Sequence, residues 1–348
     1  LLQGFGSVSS DSMDLFSIET NVGYRKTRVK SDRLTRIISQ FPIQDIGGIF
    51  LINKPSKDSV VYEVSSSEGF YILRGENKNS NRRIVAQCKI ARMEGGQFLP
   101  QPLNNREGVN TIIDESQIWY AYKKIRGHIY DGHSVSLQDV LSNYLALNRK
   151  LNQVNDGLRS SDIRSLIVKV HHREKTCREL MDAIRWVISQ KNQHVDLKGI
   201  LIKYNGQLKR CIQNLPKLGA RRKLLIHNDA NHSNVIIGRG VTFVDLEDIC
   251  YEDPRFCVAH CLFKLSRHRV LKGHSLSRVR KEVEKIFKTN ELISIVATPK
   301  EAYLILERKY LEEIAVILNF VKQHKDVRYV YDLEKKIHNI YEAKKLFS

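Results

Sequence analysis

The 348 residues are 42% hydrophobic and 27% charged, ordinary globular usage in a chain long enough for two units or one large two-lobed one; wholesale disorder and dependence on a disulfide or metal staple are excluded. Lys and Arg number 57 against 38 Asp and Glu, a net charge of +19, which raises nucleic acid or an acidic membrane surface as partners. The excess is spread along the chain and not gathered into an arm or an aromatic-interleaved stripe, so a nucleic-acid role is disfavoured.

Residues Leu1–Thr20 lack the charged start and apolar core of a secretion signal. The best apolar run, Ile314–Phe320, falls short of the roughly 18 residues a membrane span needs and contains Asn319. The six cysteines include no CxxC pair, which argues against a zinc site or a disulfide framework. A reduced, cytoplasmic protein without a membrane span is expected.

Leu1–Thr27 reads as an extension without periodicity, and Val29–Phe41 as a short amphipathic helix stopped by Pro42. From Ile43 the period changes to two. Ile49–Ile52, Val60–Val64 and Phe70–Arg74 predict a three-stranded antiparallel meander. Arg82–Met93 predicts a helix ended by Gly95-Gly96, and Gly108–Ile113 and Ile118–Tyr122 two more strands. After Gly127 helical spacing dominates: Leu137–Leu151, Arg173–Ser189, Leu197–Ile212, Arg255–Arg267, Leu276–Phe287, Lys300–Lys322 and Val327–Leu346. One interruption, Leu224–Asp245, holds two short strands, Val235–Ile237 and Val241–Val244, around Gly238-Arg239-Gly240. The division is therefore an extension and helix (1–42), a small β lobe (43–125) and a larger helical lobe (126–348), an α+β architecture.

That interruption concentrates the chemistry. An apolar strand delivers His227 and Asp229 into a loop, Asn234 leads into the hairpin, and the return strand ends at Asp245, followed by Glu247 and Asp253-Pro254. Adjacent hairpin strands bring Asn234 and Asp245 close, although they are eleven positions apart. One amide carbonyl and one carboxylate are hard oxygen ligands suited to Mg²⁺ with phosphate oxygens. A carboxylate at Asp229 can accept the proton of an attacking hydroxyl.

His227-x-Asp229-x-x-x-x-Asn234, with Val244-Asp245 and Asp253-Pro254, resembles the phosphotransferase family of aminoglycoside, choline and homoserine kinases, built on the two-lobed protein-kinase fold. The resemblance implies Asp229 as catalytic base, His227 as a buried organiser of the loop, Asn234 and Asp245 as Mg²⁺ ligands, and Glu247 as a further metal group. It implies ATP and Mg²⁺ as cofactors and a small-molecule hydroxyl acceptor of choline or ethanolamine, amino acid or sugar type. Asp245-Leu246-Glu247 leans toward the choline and ethanolamine branch. In the small lobe it implies Arg74 as the basic residue steadying the phosphates, Ser56–Ser59 as a segment closing over them, and Tyr122, Lys123 and Lys124 as the hinge that meets the adenine.

Two positions depart from the family pattern. Cys257 stands where an aspartate is usual, and Gln87 where the small-lobe helix carries an acidic partner. Compensation at the first, by Asp253 or Asp248, is expected. The competing readings are a non-catalytic pseudokinase, a basic nucleic-acid-binding scaffold, and a kinase acting on protein Ser or Thr.

Overall fold

A computed structural model describes residues 26–52, 59–167, 173–189, 195–213, 223–289, 292, 294–324 and 330–348. Ser56, assigned to the phosphate-covering segment, and the extension up to residue 25 lie outside the described residues.

The small lobe is one antiparallel sheet in the order β1-β2-β3-β4-β6-β5. Its strands are β1 (Thr27–Val29), β2 (Ile46–Leu51), β3 (Ser59–Ser66), β4 (Gly69–Asn77), β5 (Ile112–Asp114) and β6 (Gln117–Lys123). The meander forms as its period-two pattern predicts. Two expectations shift. Residues 27–29 form an edge strand against β2, and the first helix, α1 (Asp32–Ile38), starts only at Ser31, whose hydroxyl accepts from the Leu34 N–H. Strand β5 begins at Ile112 and not at Gly108, because Asn105 accepts the Glu107 and Val109 N–H groups and folds that stretch into a turn.

Alternation sorts the sheet's side chains. Leu73, Tyr71, Val64, Trp119 and Ala121 face α1 and pack on Leu34, Ile37 and Ile38. Ile72, Ile118, Tyr120 and Tyr122 face the other way, toward α2 (Asn81–Glu94) and the larger lobe. Arg74, two residues after Ile72 and opposite Tyr120, lies on that second face.

The larger lobe is mainly helical: α3 (Leu137–Val154), α4 (Ser160–Leu166), α5 (Arg173–Ser189), α6 (Val195–Gln213), α7 (Pro254–Leu271), α8 (Leu276–Ile286), α9 (Pro299–His324) and α10 (Val330–Phe347). Helix α4 lacks a long apolar stripe and is missed by periodicity. Two small sheets interrupt the helices. One is β10 (Val241–Phe243), β9 (Val235–Ile237) and β7 (His128–Ile129); the other pairs β8 (Leu224–His227) with β11 (Ile249–Glu252). Strands β7 and β11, two and four residues long, are too short to show in the pattern.

Gly75 sits directly opposite Trp119, whose ring lies over it; an added Cβ would stand 2.7 Å from ring carbons. Gly75→Ala is therefore expected to lower stability by about 1–3 kcal/mol, read as a fall in the urea midpoint at unchanged slope. An unchanged midpoint would show that Trp119 can move aside.

Candidate active site

The two small strand pairs end at the same place. Ile249 is registered opposite His227, and the Asn228 N–H donates to the Asp248 carbonyl at 2.9 Å. Phe243 is opposite Val235, and the Val244 N–H donates to the Asn234 carbonyl at 2.9 Å. Segments 228–234 and 244–248 are thus bracketed side by side by backbone pairing.

His227 is fully buried beneath them. Its Nε2 donates to the Val244 carbonyl at 2.8 Å, its N–H to Asn148 Oδ1 at 3.1 Å, and its carbonyl accepts from the Tyr144 hydroxyl at 2.6 Å. Burial pulls its pKa down, so the ring is neutral and structural. Asp229 stands above, its side chain about a third exposed at 36%. Its Oδ2 accepts from Asn231 Nδ2 at 2.8 Å, while His260 Nδ1 lies 3.8 Å from Oδ1. Asn234 is buried and donates its Nδ2 to the Asp229 carbonyl at 2.9 Å, which leaves its Oδ1 as a remaining acceptor.

Asp245 adopts left-handed backbone, φ 78° and ψ 65°. A non-glycine residue held there is a strained position of the kind found at functional sites. Its carboxylate ion-pairs with Arg74, which reaches across from β4. Arg74 also pairs with Glu247 and lies 3.6 Å from Glu76. Burial disfavours the Arg74 charge, but Tyr120, Asp245, Tyr122 and Glu76 outweigh it and raise its pKa. The Tyr120 hydroxyl donates to Glu247 Oε2 at 3.1 Å. One guanidinium thus gathers carboxylates whose hard oxygens could also serve a divalent cation.

Both departures from the family pattern are filled. Gln87 Nε2 donates to the Glu247 and Ile249 carbonyls at 2.7 and 2.8 Å, so α2 latches onto the Asp245–Ile249 segment through its backbone. Cys257 Sγ contacts Asn228 Oδ1 at 3.1 Å. Of the two carboxylates expected to compensate at 257, Asp253 does not: it caps α7 and pairs with Arg255 at 2.5 Å. Asp248 takes part through its carbonyl.

The remaining predicted residues belong to the sheet. Tyr122 is buried on the Arg74 face. Lys123 is exposed at the end of β6. The Lys124 N–H is committed to the Phe70 carbonyl at 2.8 Å and its ammonium to Glu63 at 2.5 Å. Ser59 opens β3 opposite Glu76. The structure therefore brings together His227, Asp229, Asn234, Asp245, Glu247 and Arg74. Sequence reasoning missed Tyr120 and His260. Tyr120 follows from its register opposite Arg74. His260 follows from helical spacing, since Cys257, His260, Lys264 and Arg267 recur every three or four residues on the α7 face turned to the loop.

The profile of the phosphotransferase enzyme family matches residues 56–272, which include the whole constellation. The chain belongs to that family. It is a phosphotransferase, a kinase working on hydroxyl acceptors. Its fold is similar to that of a spectinomycin phosphotransferase crystallised with ADP and spectinomycin: 11% identity and TM-score 0.67, over 91% of this chain and 99% of that one. It is also similar to an aminoglycoside phosphotransferase from Alicyclobacillus acidocaldarius, with 12% identity and TM-score 0.57 over 90% and 93%. An amicoumacin kinase bound to AMP-PNP and Ca²⁺ aligns with 13% identity and TM-score 0.52 over 90% and 92%. At these identities the likeness establishes the two-lobed protein-kinase-like fold. No curated protein matches the chain in sequence.

One further carboxyl marks this kinase's site. Burial, then Asp245 and Asp229, push Asp248 from 3.8 up to about 8. The folded protein therefore holds this proton where the unfolded chain has lost it, so stability falls as pH rises from about 4 toward 8. Asp248→Asn removes that penalty. Without divalent cations, the variant's gain in melting temperature over the parent is expected to grow from pH 5 to pH 8; a gap that stays constant would place Asp248 in contact with solvent.

Proposed function

We propose that the chain transfers the γ-phosphoryl group of ATP, in the presence of Mg²⁺, to a hydroxyl of a small molecule seated at Asp229. The observation that carries this reading is the convergence of Asp229, Asn234 and Asp245 at the joint end of two strand pairs, with Arg74 reaching Asp245 from the small lobe.

The donor set fits the metal. Among the described residues no three His, Cys, Asp or Glu side chains form a cage of their own. Mg²⁺ does not need one, since it is held by one or two carboxylates together with phosphate oxygens and water. Asp245 and Asn234 would supply such a partial shell with Glu247 beside it, a reading supported by the ion pairs that Arg74 makes with Asp245 and Glu247. Mg²⁺ held there would supply charge neutralisation at the phosphate oxygens.

The chain's own groups do the rest. Asp229 accepts the hydroxyl proton and aims the oxygen. His227 and Asn234 fix the loop that carries it, which is positioning rather than chemistry. Arg74 would meet the phosphates if a metal were held at Asp245. Val61 and Ile72, partners of Arg74 and Glu63 in the β3–β4 register, offer an apolar face for the base, with the chain at Tyr122–Lys124 beside it. The filled places at Gln87 and Cys257 support an active enzyme over a pseudokinase. No helix among the described residues is long and apolar enough to cross a membrane. Cys88, Cys211, Cys250, Cys257 and Cys261 are free thiols, which supports a reducing, cytoplasmic setting.

Asp229→Asn is expected to keep the melting temperature and ATP affinity while lowering turnover roughly a hundredfold or more. ADP release measured across a panel of hydroxyl compounds checks it; unchanged turnover would remove Asp229 from the role of base.

A further inference from the structure

Beside Asp229 opens a cavity of about 430 Å³. The loop residues Asn228–Ser233 lie on one side of it, and the opposite wall comes from α7, α9 and α10. That wall is basic. Lys264 from α7, Lys309 from α9, and Lys335 and Lys336 from α10 all line it. Asp332 lies in the lining, and Glu313 answers two of the ammoniums at once, with Lys309 at 3.3 Å and Lys336 at 2.5 Å.

Lys264 has no such partner: among the described residues it makes no ion pair, and its contact is the Phe263 ring 5.9 Å away. Desolvation, then Lys336, Lys335 and Arg267, pull its pKa down to about 7. An ammonium crowded by cations in a half-buried wall is stabilised by an incoming anion and destabilised by another cation. Among the described residues the lining holds no Phe, Tyr or Trp face, which a quaternary ammonium acceptor such as choline would use.

We infer that the acceptor carries a compact anionic group, a carboxylate or a phosphate, bound by Lys264, Lys309 and Lys336 while its hydroxyl lies at Asp229. This rests on the reading of Asp229 as the base that receives the acceptor. The resemblance to choline and ethanolamine kinases then extends to the catalytic segment and not to the acceptor wall.

Calorimetric titration of the nucleotide-free protein with glycerol 3-phosphate, gluconate and inorganic phosphate, against glycerol and choline, tests it. Glycerol 3-phosphate or gluconate is expected to bind where glycerol and choline do not, the stronger of the two telling phosphate from carboxylate. Lys264→Gln and Lys336→Gln should each weaken that binding roughly fivefold or more. Lys264→Gln relieves cationic crowding and is expected to keep the fold, checked by its melting temperature. Binding of none of the three anions, equal binding of choline or glycerol, or anion affinity unchanged in both variants would each overturn the inference. ADP release from ATP and Mg²⁺ with the same compounds is scored separately. Anion binding through Lys264 without phosphoryl transfer to any of these compounds would sink the reading of Asp229 as the base that receives the acceptor and leave the anion site standing.

Discussion

The ion pair between Arg74 and Asp245 joins the two lobes at their chemical centre. Arg74 is a strand residue whose side of the sheet is set by alternation, and Asp245 follows the last strand of a three-stranded sheet in the other lobe. A guanidinium this enclosed must be paired, and removing one partner from a buried pair costs about 3–5 kcal/mol. Arg74 meets that demand by collecting Asp245 and Glu247 together. The same clustering of carboxylates supplies hard oxygen donors, so under the proposed function a metal ion would compete with the protein cation for one site. The left-handed backbone at Asp245 turns the chain there, and β11 continues from it to pair with β8.

Around that pair the molecule replaces familiar contacts with others of equal reach. The helix α2 holds the Asp245–Ile249 segment through two hydrogen bonds from a neutral amide, Gln87, to backbone carbonyls. That leaves the carboxylate of Glu247 available to Arg74 and Tyr120. Under the loop, Tyr144, Asn148 and the Val244 carbonyl hold His227 by its carbonyl, its N–H and its Nε2, so these three contacts do not depend on a carboxylate at position 257. A buried thiol touching Asn228 suffices there.

Much of this was legible in the sequence. The meander, the helix after it and the hairpin carry strong local periods, and the His227–Asp245 spacing forces its residues together once the hairpin forms. The edge strand at 27–29, β7 and β11 escaped because two to four residues show no period. Partnerships across the lobes escaped for a different reason: Arg74 with Glu247 and Tyr120 with Glu247 depend on how the lobes meet, which no local pattern encodes. The basic wall beside Asp229 is the clearest case. The net charge of +19 announces an excess of lysine, but only the meeting of α7, α9 and α10 turns four of those lysines toward one cavity.

Under the proposed function Asp245 serves a metal and nucleotide together, with Arg74 as the cation it holds otherwise. Calorimetric titration of ATP into the protein with and without Mg²⁺ tests this most directly, repeated on Asp245→Asn. Mg²⁺ is expected to tighten ATP binding roughly tenfold or more in the parent, about 1.4 kcal/mol, and the gain is expected to disappear in the variant. Equal ATP affinity with and without Mg²⁺ in the parent, or a gain that survives Asp245→Asn intact, would contradict it.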